Sequence, residues 1–165
     1  MEVLFQPLHV DVLPPQQATS GSAGHDLRAY LASRRVTVIG DRGVEERSID
    51  DSARTLIIRP GERALVPLGF KATLPRDYEA AIRIRSSIAF ERGLIVPNSP
   101  ATIDSDFPGE WVVMVANITN IEAAIRHGER FAQVVFSRFY VADWRVGTVV
   151  STTGRTGGAG STGVD

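Results

Sequence analysis

Along most of this chain, apolar side chains fall in short runs between turn residues. In "EAAIRIR", residues 79–85, Ile82 and Ile84 alternate with Arg83 and Arg85. That is the two-residue period of a strand with one buried face, and at Arg85, Ser86 and Ser87 the alternating strand is expected to give way to something tighter. "RRVTVIG" is β-branched and stops at Gly40. "RTLIIRPGERALVPLGF" predicts strand, turn, strand, because Pro60 presets φ and Gly61 accepts a positive one. "EWVVMVANIT" and "RFAQVVFSRFYV" predict two more strands, the first apolar enough for burial on both faces. "EVLFQ" reads either as a first strand or as a cloning remnant, which leaves residues 1–6 open. The Ala-rich "IEAAIRHGE" predicts one helical turn before Gly128, and no long amphipathic helix is expected. "LIV" and "ATI" flank Pro97-Asn98-Ser99-Pro100 and predict a hairpin. The charged stretch 40–54, "GDRGVEERSIDDSAR", predicts an exposed loop. Many short strands with Gly and Pro turns predict an all-β sandwich or barrel over residues 1–150. Residues 151–165, "STTGRTGGAGSTGVD", are too poor in apolar side chains to join a core and are expected to be mobile.

Composition narrows the chemistry. A length of 165 residues fits one domain, and a hydrophobic fraction of 43% supports a core without metal or disulfide staples. The chain has no cysteine, which removes thiol nucleophiles, disulfides and Cys-based zinc sites. Its three histidines, His9, His25 and His127, lie far apart in sequence. A net charge of −1 offers no basic field for a nucleic-acid polymer. The start lacks a basic leader, and no long apolar run suits a membrane span. The expected setting is therefore soluble and cytoplasmic.

Five stretches are more polar than their surroundings require. In "SGSAGHDLRAY", Asp26 alone reads as a turn or strand-end residue and His25 as a surface residue. In "RIRSSIAFERGL", the Ser86 and Ser87 hydroxyls and nearby N–H groups beside Arg85 suit phosphate oxygens. The same three residues also suit a capped strand end. In "GLIVPNSPATIDSDFPGEW", Asp104 and Asp106 point the same way on a strand. One can act as a general base, or both can approach a metal; ordinary turn chemistry before Pro108-Gly109 explains them as well. In "GERFAQVVF", Gln133 interrupts an apolar strand. A buried amide needs partners and can orient water or phosphate, whereas an outward position would need none. The last stretch is the glycine-rich end with Arg155, either a plain terminus or a strap that closes over an anion.

In chain order the five read A-G-H-D-L, R-S-S-x5-G, I-D-S-D-F-x-G-E, G-E-R-x-A-Q and G-R-x-G-G-x-G-S-T-G. The set resembles the trimeric dUTP pyrophosphatase (dUTPase) family, from about Val10 to the C-terminus and excluding the charged loop. The resemblance implies an all-β, jelly-roll-like homotrimer with sites shared between subunits. Residues 151–165 would form a lid that reaches a neighbour. It implies hydrolysis of dUTP to dUMP and pyrophosphate with Mg²⁺, which limits uracil in DNA and supplies dUMP for thymidylate synthesis. By the same resemblance, Asp104 activates the attacking water. Asn98 and the backbone at Thr102 and Ile103 read uracil, and Phe107 stacks on deoxyribose. Arg85, Ser86, Ser87 and Gln133 meet phosphates, and Asp26 touches the metal through water. Arg155, Gly160 and Ser161 are the lid's contacts. Three departures stand out: Ala159 replaces an aromatic that covers uracil, Ser87 stands where Gly is usual, and the region around 34–54 is longer. Two alternatives remain. The dCTP deaminase branch shares the fold and the R-S-S motif, but Asp106 and the complete glycine-rich end favour the pyrophosphatase. A noncatalytic nucleotide- or protein-binding β-sandwich would not need Asp104.

Overall fold

The computed structural model describes residues 1–154. Arg155, Ala159, Gly160 and Ser161 lie outside the described residues. The alternating runs form strands β1 (Leu4–Pro7), β2 (Gln16–Gln17), β3 (His25–Arg28), β4 (Arg35–Gly40) and β5 (Gly43–Ser48). They continue as β6 (Thr55–Ile58), β7 (Arg63–Pro67), β8 (Phe70–Thr73) and β9 (Tyr78–Ile84). After α1 (Ser86–Arg92) come β10 (Leu94–Ile95), β11 (Ala101–Ile103), β12 (Val112–Asn117), β13 (Ala123–Arg126) and β14 (Arg130–Arg138). Two five-stranded sheets are ordered β10-β12-β7-β4-β5 and β11-β9-β14-β3-β2, with the small pairs β1-β8 and β13-β6 beside them.

Both large sheets feed one core. Leu27, Ile82 and Phe131 enter it from the sheet that holds β14, and Val38, Val66 and Val113 from the other. Each such side chain contributes about 1.5–3 kcal/mol by leaving water. The expected all-β architecture is what the chain adopts, and Gly61 takes φ 76° in the Pro60-Gly61 turn. No helix of the described residues is long and apolar enough to cross a membrane.

The strand from Tyr78 ends at Ile84, and the tighter element that follows it, "SSIAFER", is helical: Arg85 is the N-cap and Gly93, at φ 58°, ends the helix. Several elements differ from expectation. "IEAAIRHGE" holds strand β13 instead of a helical turn, because Ala123 and Ile125 alternate into the core while β6 pairs with the backbone. "LIV" and "ATI" do not pair with each other. β10 joins β12 and β11 joins β9, so the turn between them passes from one sheet to the other. In β12, Val112 and Met114 keep part of their surface exposed, so one face is only partly covered within the chain.

The charged stretch 40–54 is not a loop throughout. β5 pairs with β4 from Gly40↔Gly43 to Arg35↔Ser48 as a hairpin with an exposed outer strand. Its anchor is electrostatic. Arg47 donates through Nη2 to Glu62 Oε1 at 2.9 Å and through Nη1 to Glu62 Oε2 at 3.1 Å. It also bonds the Ile57 carbonyl at 2.6 Å and pairs with Glu45. Glu62 is buried and accepts the Arg59 N–H at 2.8 Å. The Arg47 hydrogen bonds hold the Glu62 carboxyl below its ordinary value, against the upward push of burial. A depressed carboxyl stabilises the fold above its unfolded pKa, and the contribution is lost as pH falls through the lower folded value. Glu62→Gln should cost roughly 1–3 kcal/mol at neutral pH. Urea unfolding across pH checks this: the gap to the parent protein should narrow on acidification.

Candidate functional site

The site is built on β14, which is hydrogen-bonded on both edges. Gln133 stands opposite Asp26 of β3 and Arg83 of β9. Its amide lies across Gly24: a Cβ at that glycine would come within 2.1 Å of Gln133 Oε1. The glycine before His25-Asp26 therefore leaves the space that the glutamine fills.

Asp26 binds two guanidinium groups. Arg85 Nε lies 3.2 Å from Oδ1 and Arg130 Nη1 lies 3.0 Å from Oδ2. Arg85 also donates through Nη1 to the Arg130 carbonyl at 3.0 Å and through its backbone N–H to the Phe131 carbonyl at 3.1 Å. α1 begins at once after Arg85, so Ser86 and Ser87 occupy its first turn and are exposed. N–H groups in a first helical turn have no intrahelical acceptor and can donate to a ligand.

The other end of α1 is tied to the turn before β14. Arg92 donates to Glu129 Oε1 at 2.6 Å and to the Ala124 carbonyl at 2.7 Å. Glu129 Oε2 accepts the Arg126 N–H at 3.0 Å. Burial pushes the Glu129 carboxyl up, but the hydrogen bonds and charge of Arg92, with Arg126, outweigh it and hold it below the usual range. A cleft of about 320 Å³ opens beside Asp26, Arg28 and Arg130.

A second group lies elsewhere on the same sheet. Asn98 is exposed in the segment before β11, Thr102 and Ile103 are in β11, and Asp104 follows it, exposed. Phe107 closes the next turn by donating its N–H to the Asp104 carbonyl at 3.2 Å. Thr102 Oγ1 bonds Glu79 Oε2 at 3.2 Å. Ile103 faces Ala80 near the start of β9 and Arg85 follows its last residue, so Asp104 and Arg85 stand towards opposite ends of that strand. At about 3.3 Å per residue, Ala80 and Arg85 are roughly 16 Å apart along the strand.

One chain thus brings Asp26, Arg85, Ser86, Ser87 and Gln133 together and holds Asp104 and Phe107 apart from them. Arg130 was the residue that sequence reasoning left without a role, although it stands inside G-E-R-x-A-Q. Among the described residues there is no group of three His, Asp or Glu side chains able to hold a metal ion. Asp26 gives one oxygen to each arginine yet keeps lone pairs free. The donor set therefore fits a hydrated cation that arrives with phosphates better than one ligated by protein alone.

The family model described as dUTPase matches residues 51–163. A deoxyuridine 5'-triphosphate nucleotidohydrolase from Rhizobium rhizogenes is 42% identical over 162 residues, covering 95% of this chain and 99% of the relative. The crystal structure of dUTPase from Streptococcus mutans superposes with a TM-score of 0.63 at 27% identity, covering 85% of this chain and 98% of that one. A mutant dUTPase from phage phi11 of S. aureus, in which a structural Mg(II) ion is coordinated, shares the fold at a TM-score of 0.70 and 13% identity, covering 92% and 100%. With the family model matching well over half of the chain and the Rhizobium relative nearly all of it, this chain belongs to the dUTPase family.

Proposed function

We propose that this chain hydrolyses dUTP to dUMP and pyrophosphate. The observation that carries this reading is the cluster of Arg85, Ser86, Ser87 and Gln133 around Asp26, a ready anion site in a member of the dUTPase family. Arg85 is fixed to β14 through its backbone N–H and through Nη1, and its guanidinium keeps further N–H groups for phosphate oxygens. The exposed serines add hydroxyl and N–H donors.

Asp104 takes the proton from a water as its oxygen attacks the α-phosphorus. A new P–O bond forms, the bond to the bridging oxygen of the β-phosphate breaks, and pyrophosphate leaves. Main-chain groups at Thr102 and Ile103, with Asn98, pair with the uracil edge. Cytosine presents the opposite pattern, and each buried group left unpaired costs about 1–3 kcal/mol. Phe107 packs on the deoxyribose and crowds a 2′-hydroxyl. Bound Mg²⁺ would supply neutralisation of triphosphate charge, with Asp26 contacting it through water. Residues 151–165 form the lid, in which Arg155, Gly160 and Ser161 meet phosphate. Ala159 gives up aromatic cover on the base, worth about 1–3 kcal/mol.

The distance between Asp104 and Arg85 within one chain supports a site assembled between copies. So does the segment after β14, which pairs with no strand among the described residues and leaves Tyr140, Trp144 and Val146 almost fully exposed. Apolar side chains displayed in this way fit a second copy of the chain, and the homotrimer is the assembly we assign.

Pyrophosphate release should be fast with dUTP plus magnesium and slow with dTTP, dCTP and UTP; ammonia from dCTP would instead place the chain in the deaminase branch. Asp104→Asn should bind nucleotide yet lose at least about a hundredfold in kcat; near-normal turnover removes Asp104 as the base. Ending the chain after Ser151 should leave the trimer intact in light scattering while kcat falls about a hundredfold. Deleting residues 140–150 as well should give monomers, and a trimer that persists would show that this segment does not join the copies.

A further inference from the structure

Arg130 has no part in the scheme above, yet its side chain occupies half of the Asp26 carboxylate. The register of β14 against β3 shifts between Arg130 and Ala132, a bulge at Phe131. Bulges of this kind re-aim a side chain without ending a strand. Here Phe131 goes fully into the core, Arg130 turns towards Asp26, and both carbonyls are left pointing at Arg85. The acid is the most enclosed member of the trio: its side chain is 14% exposed, against 30% for Arg85 and 44% for Arg130.

Two guanidinium groups on one carboxylate leave a surplus of one positive charge. They also leave each arginine a single-oxygen contact instead of a two-pronged pair. If Arg130 were absent, both oxygens of Asp26 would be open to Arg85. The geometry would then favour a closed, neutral fork of the kind that arginine and carboxylate form readily, and Arg85 would be drawn away from phosphate. We propose that Arg130 is a positioning residue for the triphosphate: it occupies one oxygen of Asp26 so that Arg85 stays available and the cluster stays cationic. This rests on the dUTP reading given above.

The test compares the full-length protein with Arg130→Gln and Arg130→Lys. KM for dUTP should rise about tenfold in Arg130→Gln while kcat changes less than about threefold. Arg130→Lys should recover part of the loss, because it restores the charge. Inhibition by deoxyuridine, which has no phosphate, should be the same in all three. In an Asp26→Asn background the further step to Gln at position 130 should change KM by less than about twofold, since Arg130 acts through that carboxylate. Thermal melts establish that each variant is folded, and Arg130→Lys carries the comparison if the Gln variant melts early. A folded variant with unmoved KM overturns the proposal, as do equal loss of deoxyuridine binding and full additivity with Asp26→Asn. Absence of dUTP turnover in the parent protein would overturn the functional reading itself; turnover with an unmoved KM in the Gln variant overturns this inference alone.

Discussion

β14 is paired on both edges, and every group around Asp26 takes its place from that pairing. Its ladder with β9 aligns Gln133 with Arg83, and its ladder with β3 aligns the same residue with Asp26. The strand is locked from beneath by Phe131, Ala132 and Val134, all fully buried. A one-residue slip would turn those side chains outward and the polar ones inward, so the hydrophobic core fixes the register of the polar cluster. The same strand supplies the carbonyls of Arg130 and Phe131 that receive Arg85.

The electrostatics of the cluster follow from unequal exposure. Asp26 is largely enclosed, and an enclosed carboxylate without partners would be costly. Two arginines remove that cost and carry the excess charge to the surface, where an anion can meet it. The Arg92–Glu129 pair belongs to the same frame. It fixes the end of α1 to the turn that leads into β14, so the first turn of the helix keeps its position relative to Asp26. Polar contacts hold the periphery and apolar packing holds the centre.

Much of this was legible in the sequence, for reasons that can be named. The alternation of Ile82 and Ile84 with arginines gave β9, and Pro60-Gly61 gave a turn whose glycine has positive φ. Local cues misled where the decisive partner was remote. The alanines of "IEAAIRHGE" favour a helix, but Ala123 and Ile125 are drawn into the core beside β6. The acids and arginines of 40–54 look like a solvated loop because β5 hides almost nothing, and its backbone partner is visible only once the chain is folded. Pro97-Asn98-Ser99-Pro100 does mark a turn, yet nothing local says that the two runs it joins belong to different sheets. For the polar cluster, the types of Asp26, Arg85 and Gln133 were readable. Their contacts with Arg130 were not, because a charge two residues after a glycine reads as ordinary turn polarity.

The bond between Arg47 and Glu62 has a consequence for how the β4–β5 hairpin can vary. β4 is held by its pairing with β7 and by Val36 and Val38 in the core, whereas the outer strand β5 is tied to the body by one guanidinium, one buried carboxylate and the Ile57 carbonyl, and Asp41 and Arg42 at the tip bury little. Substitutions at Asp41 and Arg42 therefore meet little resistance from the rest of the molecule, whereas a change at Arg47 or Glu62 alone leaves its partner without this ion pair. The outer strand β5 is in effect a permissive edge on a fixed neighbour, where sequence can drift while β4 stays in the sheet beneath.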